Sequence, residues 1–579
     1  MTGGSRLPAA LGSRLQLSLS SLAPDRRRRL VRRGLPTLAT LIALLLLAVT
    51  AGLVCAGESG DERAARRFTE AWERGDLGAM YGLLTPAARD RTSRAEFETA
   101  YRSARVTATA TEFEAGSPED EDGGVRVPMT VKTRAFGRVD EPIVLPVDDG
   151  RVDWRPHLAF PGVPENASLS RSTQAPPRGR IVASGGRVIA DGPAHARTSP
   201  LGSTGSSIAG QVGPPTTPAE RLSLDERGFP PGSLIGLNGL ERALEPLVAG
   251  TPGGTLRAFD RTLASTRPRA AGAVRTTIAV DVQEAAVTAL GGRFGGIAAL
   301  DPRTGEVRAL AGIAFSAPQP PGSTFKVITA AAALEHGLVE PSTRFPVETK
   351  AVIDGVDLEN ANGESCGGTF VQSFAHSCNS VFAPLGVRLG AERLVEAAER
   401  FGFNREPGLA GARPSTIPPA EAIDTPLAVG STAIGQGQVL ATPLQLAGVA
   451  QVVAAEGVRH EPTLLPVSGR PEGERAIPAG VARQLERMMI DVVRYGTGTA
   501  ASLASVRVAG KTGTAELEDT TDQEGAPEEA NPGSDTDAWF TAYAPARRPK
   551  IVVAVMFVRA GAGGETAAPA AKIVLQAGL

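Results

Sequence analysis

The sequence contains few of the residues that build metal centres and disulfide scaffolds. Its 579 residues include three cysteines and five histidines, and the histidines occur singly, outside any HExxH motif or Cys/His ligand spacing. Three cysteines allow at most one internal bridge, which excludes a disulfide-dense fold. We therefore expect no metal site and no cofactor.

The chain also has no excess of either charge. Its 60 Lys+Arg balance 62 Asp+Glu, for a formal net charge of -2, so no global attraction to nucleic acid is expected. Its 67 glycines and 45 prolines follow no three-residue period, which excludes collagen. The length exceeds that of one ordinary domain and predicts a multidomain chain.

A basic segment followed by an apolar one predicts a membrane anchor. Residues 1–33 contain eight arginines and one acid, and residues 34–57 carry no charge at all. As a helix the apolar run would span roughly 36 Å, enough for the hydrocarbon core. The arginines predict a cytoplasmic tail and an extracytoplasmic remainder. A cleaved signal peptide is the alternative, but both segments are long for one.

The exported chain divides into three parts by composition. Residues 58–157 show helical spacing followed by two-residue alternation, which predicts a small α+β domain with three helices and a curved sheet. Residues 158–270 are rich in Gly/Pro turns and predict an irregular pedestal. Residues 271–579 contain denser apolar runs and are numerous enough for one well-buried catalytic domain.

The strongest chemical signal is Ser323-Thr-Phe-Lys326, which follows Pro-Pro-Gly and precedes an apolar run. This pattern predicts a buried helix from near Ser323 to about His336. Ser323 would then lie at the positive end of the helix, where N–H groups suit a developing oxyanion. Lys326 lies one turn deeper, where loss of water lowers its pKa and lets it accept the serine proton. Such a pair is weak evidence alone, but only six residues of the chain are lysine.

Two further motifs strengthen this interpretation. Ser377-Cys-Asn379 combines a hydroxyl that can relay a proton with an amide that can hold a substrate carbonyl. Lys511-Thr512-Gly513-Thr514 follows a short apolar stretch and is interpreted as a strand presenting an ammonium and hydroxyls to a carboxylate. Gly513 lacks the side chain that would block a close backbone approach. We expect an apolar run at 551–558 to be the hairpin partner of this strand.

The order and spacing of these three motifs resemble those of β-lactamases and penicillin-binding proteins. Residues 276–579 resemble the transpeptidase domain of class B penicillin-binding proteins, with supporting matches at 276–283, 299–306, 435–437, 442–445, 538–540 and 543–545. The resemblance implies a serine β-lactamase/transpeptidase-like fold, an antiparallel sheet flanked by helices. Residues 58–157 resemble the nuclear-transport-factor-like, cone-shaped domain of methicillin-resistance-type transpeptidases. Residues 236–241 and 250–253 are similar to the family's pedestal, although Ala183-Ser184 replace its usual Asp-Arg.

The resemblance implies acyl transfer through Ser323, with Lys326 as its base. The acyl donor would be a peptidoglycan stem peptide ending in D-Ala-D-Ala, and β-lactams would acylate the same serine. Lys511, Thr512 and Thr514 would hold the terminal carboxylate, Ser377 would pass a proton to the leaving amine, and the N–H groups of Ser323 and Thr514 would form the oxyanion hole. The implied partners are the cytoplasmic membrane and other cell-wall synthesis proteins, with no nucleic acid.

Two other functions remain open on the sequence. A DD-carboxypeptidase or β-lactamase shares the first half-reaction and uses water as the acceptor. A penicillin sensor or idle scaffold is disfavoured by intact motifs and by a basic tail with little room for signalling. The multidomain stalk favours a transpeptidase, because it lifts the site towards a polymer.

Two local features lead to further expectations. Cys366 and Cys378 lie in one exported segment, where an oxidising environment favours a bridge that would preorganise the site. The alternative is a buried apolar Cys378 and an unpaired Cys366. Residues 515–536 hold eight acids and no Lys or Arg, which predicts a mobile acidic loop. We favour the interpretation that this loop is a solvated insertion without a functional role.

Overall fold

The computed structural model describes residues 58–469, 471–516 and 535–579. Within these residues the chain forms two compact units, one of residues up to Arg171 together with Thr255–Ser265, the other of Ser172–Gly254 and Thr266–Leu579. None of the helices described is long and apolar enough to cross a membrane. The predicted tail 1–33 and anchor 34–57 lie outside the described residues.

The first unit begins with four helices, one more than the sequence predicts. They are α1 (Gly60–Glu73), α2 (Leu77–Gly82), α3 (Pro86–Arg91) and α4 (Arg94–Ala108). The predicted capping box of α4 is present, with Ser93 and Glu96 each bonded to the other's backbone N–H. The additional helix, α3, is six residues long and too short for a periodic pattern, and it starts from a Thr85 cap followed by proline.

An antiparallel sheet packs against these helices. Its strands are β1 (Ala110–Ala115), β2 (Glu119–Glu121), β3 (Gly124–Thr133) and β4 (Gly137–Leu145), with β3 between β1 and β4, followed by the small hairpin β5 (Val147–Asp148) and β6 (Arg151–Val152). Val125, Val127 and Met129 alternate along β3 and lie in the core with Phe97 and Trp154. The two-residue period thus separates a buried from an exposed face.

Short elements make up the segment predicted as a pedestal. They are β7 (Leu169–Gln174), β8 (Ile181–Val182), β9 (Val188–Ala190), α5 (Gly202–Ala209), β10 (Val212–Gly213), α6 (Pro218–Glu226), β11 (Ile235–Gly236), α7 (Gly239–Ala243), α8 (Glu245–Val248), β12 (Gly253–Ala258) and β13 (Arg261–Thr266). Strand β14 (Val274–Arg275) follows the segment and pairs with β8. Within this segment, the buried Arg178 guanidinium donates to Glu241 Oε2 and to Glu245 Oε2, both at 2.6 Å. These bonds connect the early part of the segment to helices α7 and α8. The substituted Ala183 is fully buried, so this departure from the family's pattern is accommodated in the core.

A five-stranded antiparallel sheet forms the centre of the second unit. Its strands are β15 (Gly295–Leu300), β16 (Val307–Gly312), β23 (Ala509–Glu516), β24 (Thr536–Ala544) and β25 (Ile551–Phe557), in the order β16-β15-β25-β24-β23. The prediction that residues 551–558 pair with the Lys511 strand is wrong, because β24 lies between them. Ala515, Glu516 and Thr536 belong to strands rather than to the predicted acidic loop, whose residues 517–534 lie outside the described residues.

Helices cover both faces of this sheet. One face carries α9 (Val280–Leu290) and α17 (Ala567–Ala577), which pack on Val553 and Val555. Val552 and Ala554 point to the other face and its larger core. Helices there include α10 (Lys326–Glu335), α11 (Phe370–Ala375), α12 (Asn379–Leu389), α13 (Ala391–Arg400), α14 (Pro426–Ala433), α15 (Pro443–Ala454) and α16 (Ala479–Arg494). Successive side chains of β25 therefore point to opposite faces of the sheet and pack into two separate cores.

Small two-stranded ribbons complete this unit. They are formed by β17 (Arg344–Glu348) with β20 (Cys366–Thr369), β18 (Lys350–Ile353) with β19 (Val356–Glu359), and β21 (Val458–Arg459) with β22 (Glu474–Arg475). Strand β20 leads directly into α11, and β19 ends beside the start of α12. The ribbons β17/β20 and β18/β19 thereby flank the segment that carries Ser377.

Candidate active site

Ser323 lies on a tight turn at the start of the most buried helix of the second unit. Gly322–Phe325 form a 3-10 helix that continues into α10 at Lys326, so the predicted α-helix begins three residues after Ser323. A 3-10 helix has three residues per turn, which puts Lys326 in line with Ser323. Ser323 is half-buried and Lys326 is fully buried. The Ser323 N–H lies in the first turn, where helices leave N–H groups free.

Two glycines allow this turn to lie close against the edge strand β23. Gly322 has φ +51°, its N–H donates to the Gly435 carbonyl at 3.0 Å, and a Cβ added to it would collide with the Thr514 carbonyl. A Cβ on Gly513 would come within 2.8 Å of the Pro321 carbonyl. Because Gly513 has no side chain, the turn that carries Ser323 can lie close to the backbone of β23.

The Lys326 ammonium is held by the Ser377–Asn379 segment. Its Nζ donates to the Ser377 carbonyl at 2.7 Å and to Asn379 Oδ1 at 2.5 Å, and it lies 3.4 Å from Ser377 Oγ. Asn379 is oriented in turn by donating its Nδ2 hydrogen to the Glu359 carbonyl at 2.6 Å. The first two motifs thus form one hydrogen-bonded unit.

Lys511 reaches the same serine from the edge strand. Its Nζ donates to Ser377 Oγ at 2.8 Å and to the Thr512 carbonyl at 3.0 Å. Lys511 is fully buried, like Lys326. The Ser377 hydroxyl therefore lies between two ammonium groups, a position from which it can relay a proton.

The backbone of Ser377 is in the left-handed region. Its φ is +61°, between the end of α11 and the start of α12. A non-glycine residue in this region costs about 1 kcal/mol or more, and it persists only where its surroundings hold it. The Ser377 N–H donates to the Phe374 carbonyl at 3.2 Å, and the next N–H donates to the Ser373 carbonyl at 2.9 Å.

A disulfide supports the same turn. Cys366 of β20 and Cys378 are joined, with their Cα atoms 5.4 Å apart. The closed loop contains all of α11 and ends on the residue between Ser377 and Asn379. The Ser380 hydroxyl adds a bond to the Cys366 carbonyl at 3.3 Å, so the ribbon and the turn are connected twice.

Sequence reasoning missed a threonine that touches the third motif. Thr497 Oγ1 lies 2.5 Å from Thr512 Oγ1, and the Thr497 N–H donates to the Ala375 carbonyl at 3.1 Å. Thr497 stands between two glycines just after α16, and that short turn is the only local signal for it. On the other side, Thr514 Oγ1 accepts from the Gly563 N–H at 3.4 Å.

Burial acts strongly on both lysines. Loss of water lowers the pKa of Lys326 well below its ordinary value, and the charge of Lys511 lowers it further. Burial lowers the pKa of Lys511 to about 7. The charge of Lys511 acts on Lys326 in addition to burial, so Lys326 is the lysine expected to be neutral while Lys511 keeps its proton. The pair can therefore combine a neutral base with a neighbouring cation.

Comparisons with known proteins identify relatives of this chain. The family model described as the penicillin binding protein transpeptidase domain matches residues 295–576. The peptidoglycan D,D-transpeptidase PbpA of Mycobacterium tuberculosis is 32% identical over 414 residues, which cover 59% of this chain and 79% of the relative. The peptidoglycan D,D-transpeptidase MrdA of Acinetobacter baumannii is 28% identical, with 64% of each chain covered.

Solved structures show the same similarity. Penicillin-binding protein A from M. tuberculosis, as a penicillin G acyl-enzyme complex, superposes with a TM-score of 0.54 at 28% identity, covering 69% of this chain and 99% of that one. PBP2 of Pseudomonas aeruginosa, in complex with WCK 5153, gives a TM-score of 0.59 at 26% identity, covering 71% and 96%. The likeness extends over nearly the whole of both solved chains.

Proposed function

Because this chain belongs to the class B penicillin-binding protein transpeptidases, we propose that it is a peptidoglycan D,D-transpeptidase that is acylated by β-lactams at Ser323. The observation that carries the proposal is the contact of Lys326 and Lys511 with one hydroxyl, Ser377 Oγ. This contact supports assigning the roles of base, proton relay and carboxylate-binding cation to Lys326, Ser377 and Lys511. Acyl-enzyme complexes of a relative support the covalent step.

Acylation begins at Ser323. Its Oγ attacks the carbonyl of the penultimate D-Ala while neutral Lys326 takes the hydroxyl proton. Negative charge develops on the carbonyl oxygen, where the N–H groups of Ser323 and Thr514 stabilise it. The carbon–nitrogen bond then breaks as Ser377 gives its hydroxyl proton to the departing amine and takes the proton held by Lys326. The amine leaves as D-Ala, and Lys326 is neutral again. A neighbouring stem-peptide amine attacks the ester, forms the cross-link and returns Ser323.

The third motif orients the donor peptide. The Lys511 ammonium, together with the Thr512 and Thr514 hydroxyls, holds the terminal carboxylate by charge-assisted hydrogen bonds. This role needs a protonated Lys511 while Lys326 is neutral. Burial lowers both pKa values, and the charge of Lys511 lowers that of Lys326 further, which supports this difference.

Location and stalk belong to the same proposal. Residues 34–57 would anchor the chain in the cytoplasmic membrane as one helix, with 1–33 in the cytoplasm and the catalytic domain outside. A disulfide at the site suits an oxidising exterior. The four helices and the four-stranded antiparallel sheet of the first unit support a nuclear-transport-factor-like, cone-shaped domain, and the Arg178 cluster supports a pedestal. Other cell-wall synthesis proteins are the expected partners.

Labelling by a fluorescent penicillin tests the covalent step. Wild-type protein should be labelled, whereas Ser323→Ala should carry no label and keep the same thermal unfolding midpoint. Ser316→Ala, on the loop before the turn, is the matched control and should label normally. Undiminished labelling of Ser323→Ala would refute Ser323 as nucleophile.

The acceptor distinguishes the proposal from its alternatives. A synthetic pentapeptide stem with a free acceptor amine should yield a dimeric cross-linked product in mass spectra. A DD-carboxypeptidase would give only the shortened monomer, a β-lactamase would release hydrolysed penicillin rapidly, and a sensor would give a stable penicillin adduct with neither peptide product.

A further inference from the structure

Two buried phenylalanine rings stand behind the two lysines of the site. Lys326 Nζ lies 5.5 Å from the centre of the Phe382 ring, and Lys511 Nζ lies 5.7 Å from that of Phe374. The two ring centres are 6.1 Å apart, so the rings contact each other as the lysines converge on Ser377. Both rings are fully buried.

The rings are placed by the helices on either side of Ser377. Phe374 belongs to α11 and precedes Ser377 by three residues, and Phe382 follows Asn379 by three residues on α12. On a helix this spacing puts Asn379 and Phe382 on one face, which is the face that meets Lys326. The rings therefore belong to the same local structure that presents the Ser377 hydroxyl.

The other groups facing the two ammoniums are neutral. They are the Ser377 carbonyl and hydroxyl, Asn379 Oδ1 and the Thr512 carbonyl. Among the described residues, Lys511 is the one charged side chain that bears on the pKa of Lys326, and burial alone bears on that of Lys511. No carboxylate in the described part of the chain acts on these pKa values. Burial is the first cause of the lowered pKa of both lysines, and the two rings are part of what buries them.

Such a ring has two opposing effects on a lysine. Its bulk excludes water, which favours the neutral amine. Its π face attracts an ammonium within about 6 Å, most strongly where water is excluded. A wall of this kind keeps Lys326 neutral before the reaction and stabilises the ammonium that forms when it takes the Ser323 proton.

We propose that Phe374 and Phe382 are positioning residues for the acylation step, with Phe382 setting the protonation equilibrium of Lys326 and Phe374 that of Lys511. The inference rests on the proposed function only in using β-lactam acylation as its readout. The two rings act through the lysines that they face.

The pH profile of penicillin acylation tests the role of Phe382. Phe382→Leu keeps an apolar wall and loses the π face, so the acid limb of the second-order acylation rate should move to lower pH by up to about one unit. Phe382→Ala opens space for water, so its acid limb should move to higher pH. If Phe382→Ala does not fold, the leucine variant decides the question alone.

Phe374 should control the opposite limb. Phe374→Leu removes the ring that stabilises the Lys511 ammonium, so the alkaline limb should move to lower pH, by up to about one unit, while the acid limb stays in place. Moving one limb with each variant is a result that a general loss of packing does not produce.

Phe370→Leu is the matched control. Phe370 is fully buried and stacks on Phe382 with ring centres 5.5 Å apart, and among the described residues no lysine lies over its ring. It should lower the thermal unfolding midpoint about as much as Phe382→Leu and leave both limbs unchanged. Unmoved limbs in Phe382→Leu and Phe374→Leu, or shifts equal to those of Phe370→Leu, would overturn the inference. Failure of wild-type protein to be acylated would instead refute the proposed function.

Discussion

Lys326 and Lys511 contact the same oxygen atom, Ser377 Oγ, at 3.4 and 2.8 Å. Two ammonium groups this close repel each other, and both are buried away from water. The site therefore works only over the pH range in which one lysine has lost its proton and the other has kept it. Burial lowers the pKa of both lysines, and the charge of Lys511 lowers that of Lys326 further, which provides this range.

We expect a bell-shaped pH dependence for acylation of the free protein. The second-order rate of penicillin labelling should rise as Lys326 becomes neutral and fall near pH 7, where Lys511 loses its proton. Lys511→Arg should remove the alkaline limb, because a guanidinium stays charged throughout this range. An alkaline limb that persists near pH 7 in Lys511→Arg would assign it to another group.

Burial of Lys511 should cost folding stability in a pH-dependent way. Its pKa is about 7 in the folded chain against 10.5 when exposed, so between these values the unfolded chain binds the proton and the folded chain does not. The contribution of Lys511 to the free energy of unfolding therefore rises with pH across this window, and below pH 7 the full burial cost remains.

Lys511→Met should remove that cost. Urea unfolding should show the variant to be more stable than wild type at about pH 6.5, with the difference shrinking towards about pH 9.5. Lys350→Met, at an exposed lysine paired with Asp357, is the control and should show no such gain. A difference in unfolding free energy that is constant with pH would contradict a buried lysine of lowered pKa.

Local patterns predicted much of this site, and pairings distant in sequence account for what they missed. The spacing of Ser323 and Lys326 puts them one turn apart, as the structure has them, and alternation identified the buried face of β3. Nothing local indicates that β24 would separate β23 from β25, since strand order is set by pairings between segments distant in sequence. The contact of Thr497 with Thr512 likewise depends on how α16 meets the edge strand.

The backbone of Ser377 gives a test that separates strain from chemistry. At φ +61° glycine is favoured over alanine by about 1 kcal/mol, so Ser377→Gly should be more stable than Ser377→Ala by that amount. Both variants lack the relay hydroxyl and should lose at least about a hundred-fold in acylation rate.

Glu456 provides the matched comparison for Ser377. It has φ +53° beyond the end of α15, away from the lysines, so Glu456→Gly should likewise be more stable than Glu456→Ala, with normal labelling in both. Urea midpoints and labelling rates measure the two effects separately. Normal labelling of Ser377→Ala would show that its hydroxyl relays no proton.

The bond between Cys366 and Cys378 should contribute to both stability and rate. A loop this short carries about 3 kcal/mol of chain-entropy stabilisation, so Cys366→Ala/Cys378→Ala should lower the free energy of unfolding by about that amount. The bridge ends between Ser377 and Asn379, which together hold Lys326, so its loss should also slow acylation. Treating wild-type protein with dithiothreitol should reproduce both losses, whereas the double variant should not respond to the reductant. Recovering both cysteines as free, alkylatable thiols from untreated protein that labels at the full rate would refute the bridge, since the turn would then be held by its hydrogen bonds alone.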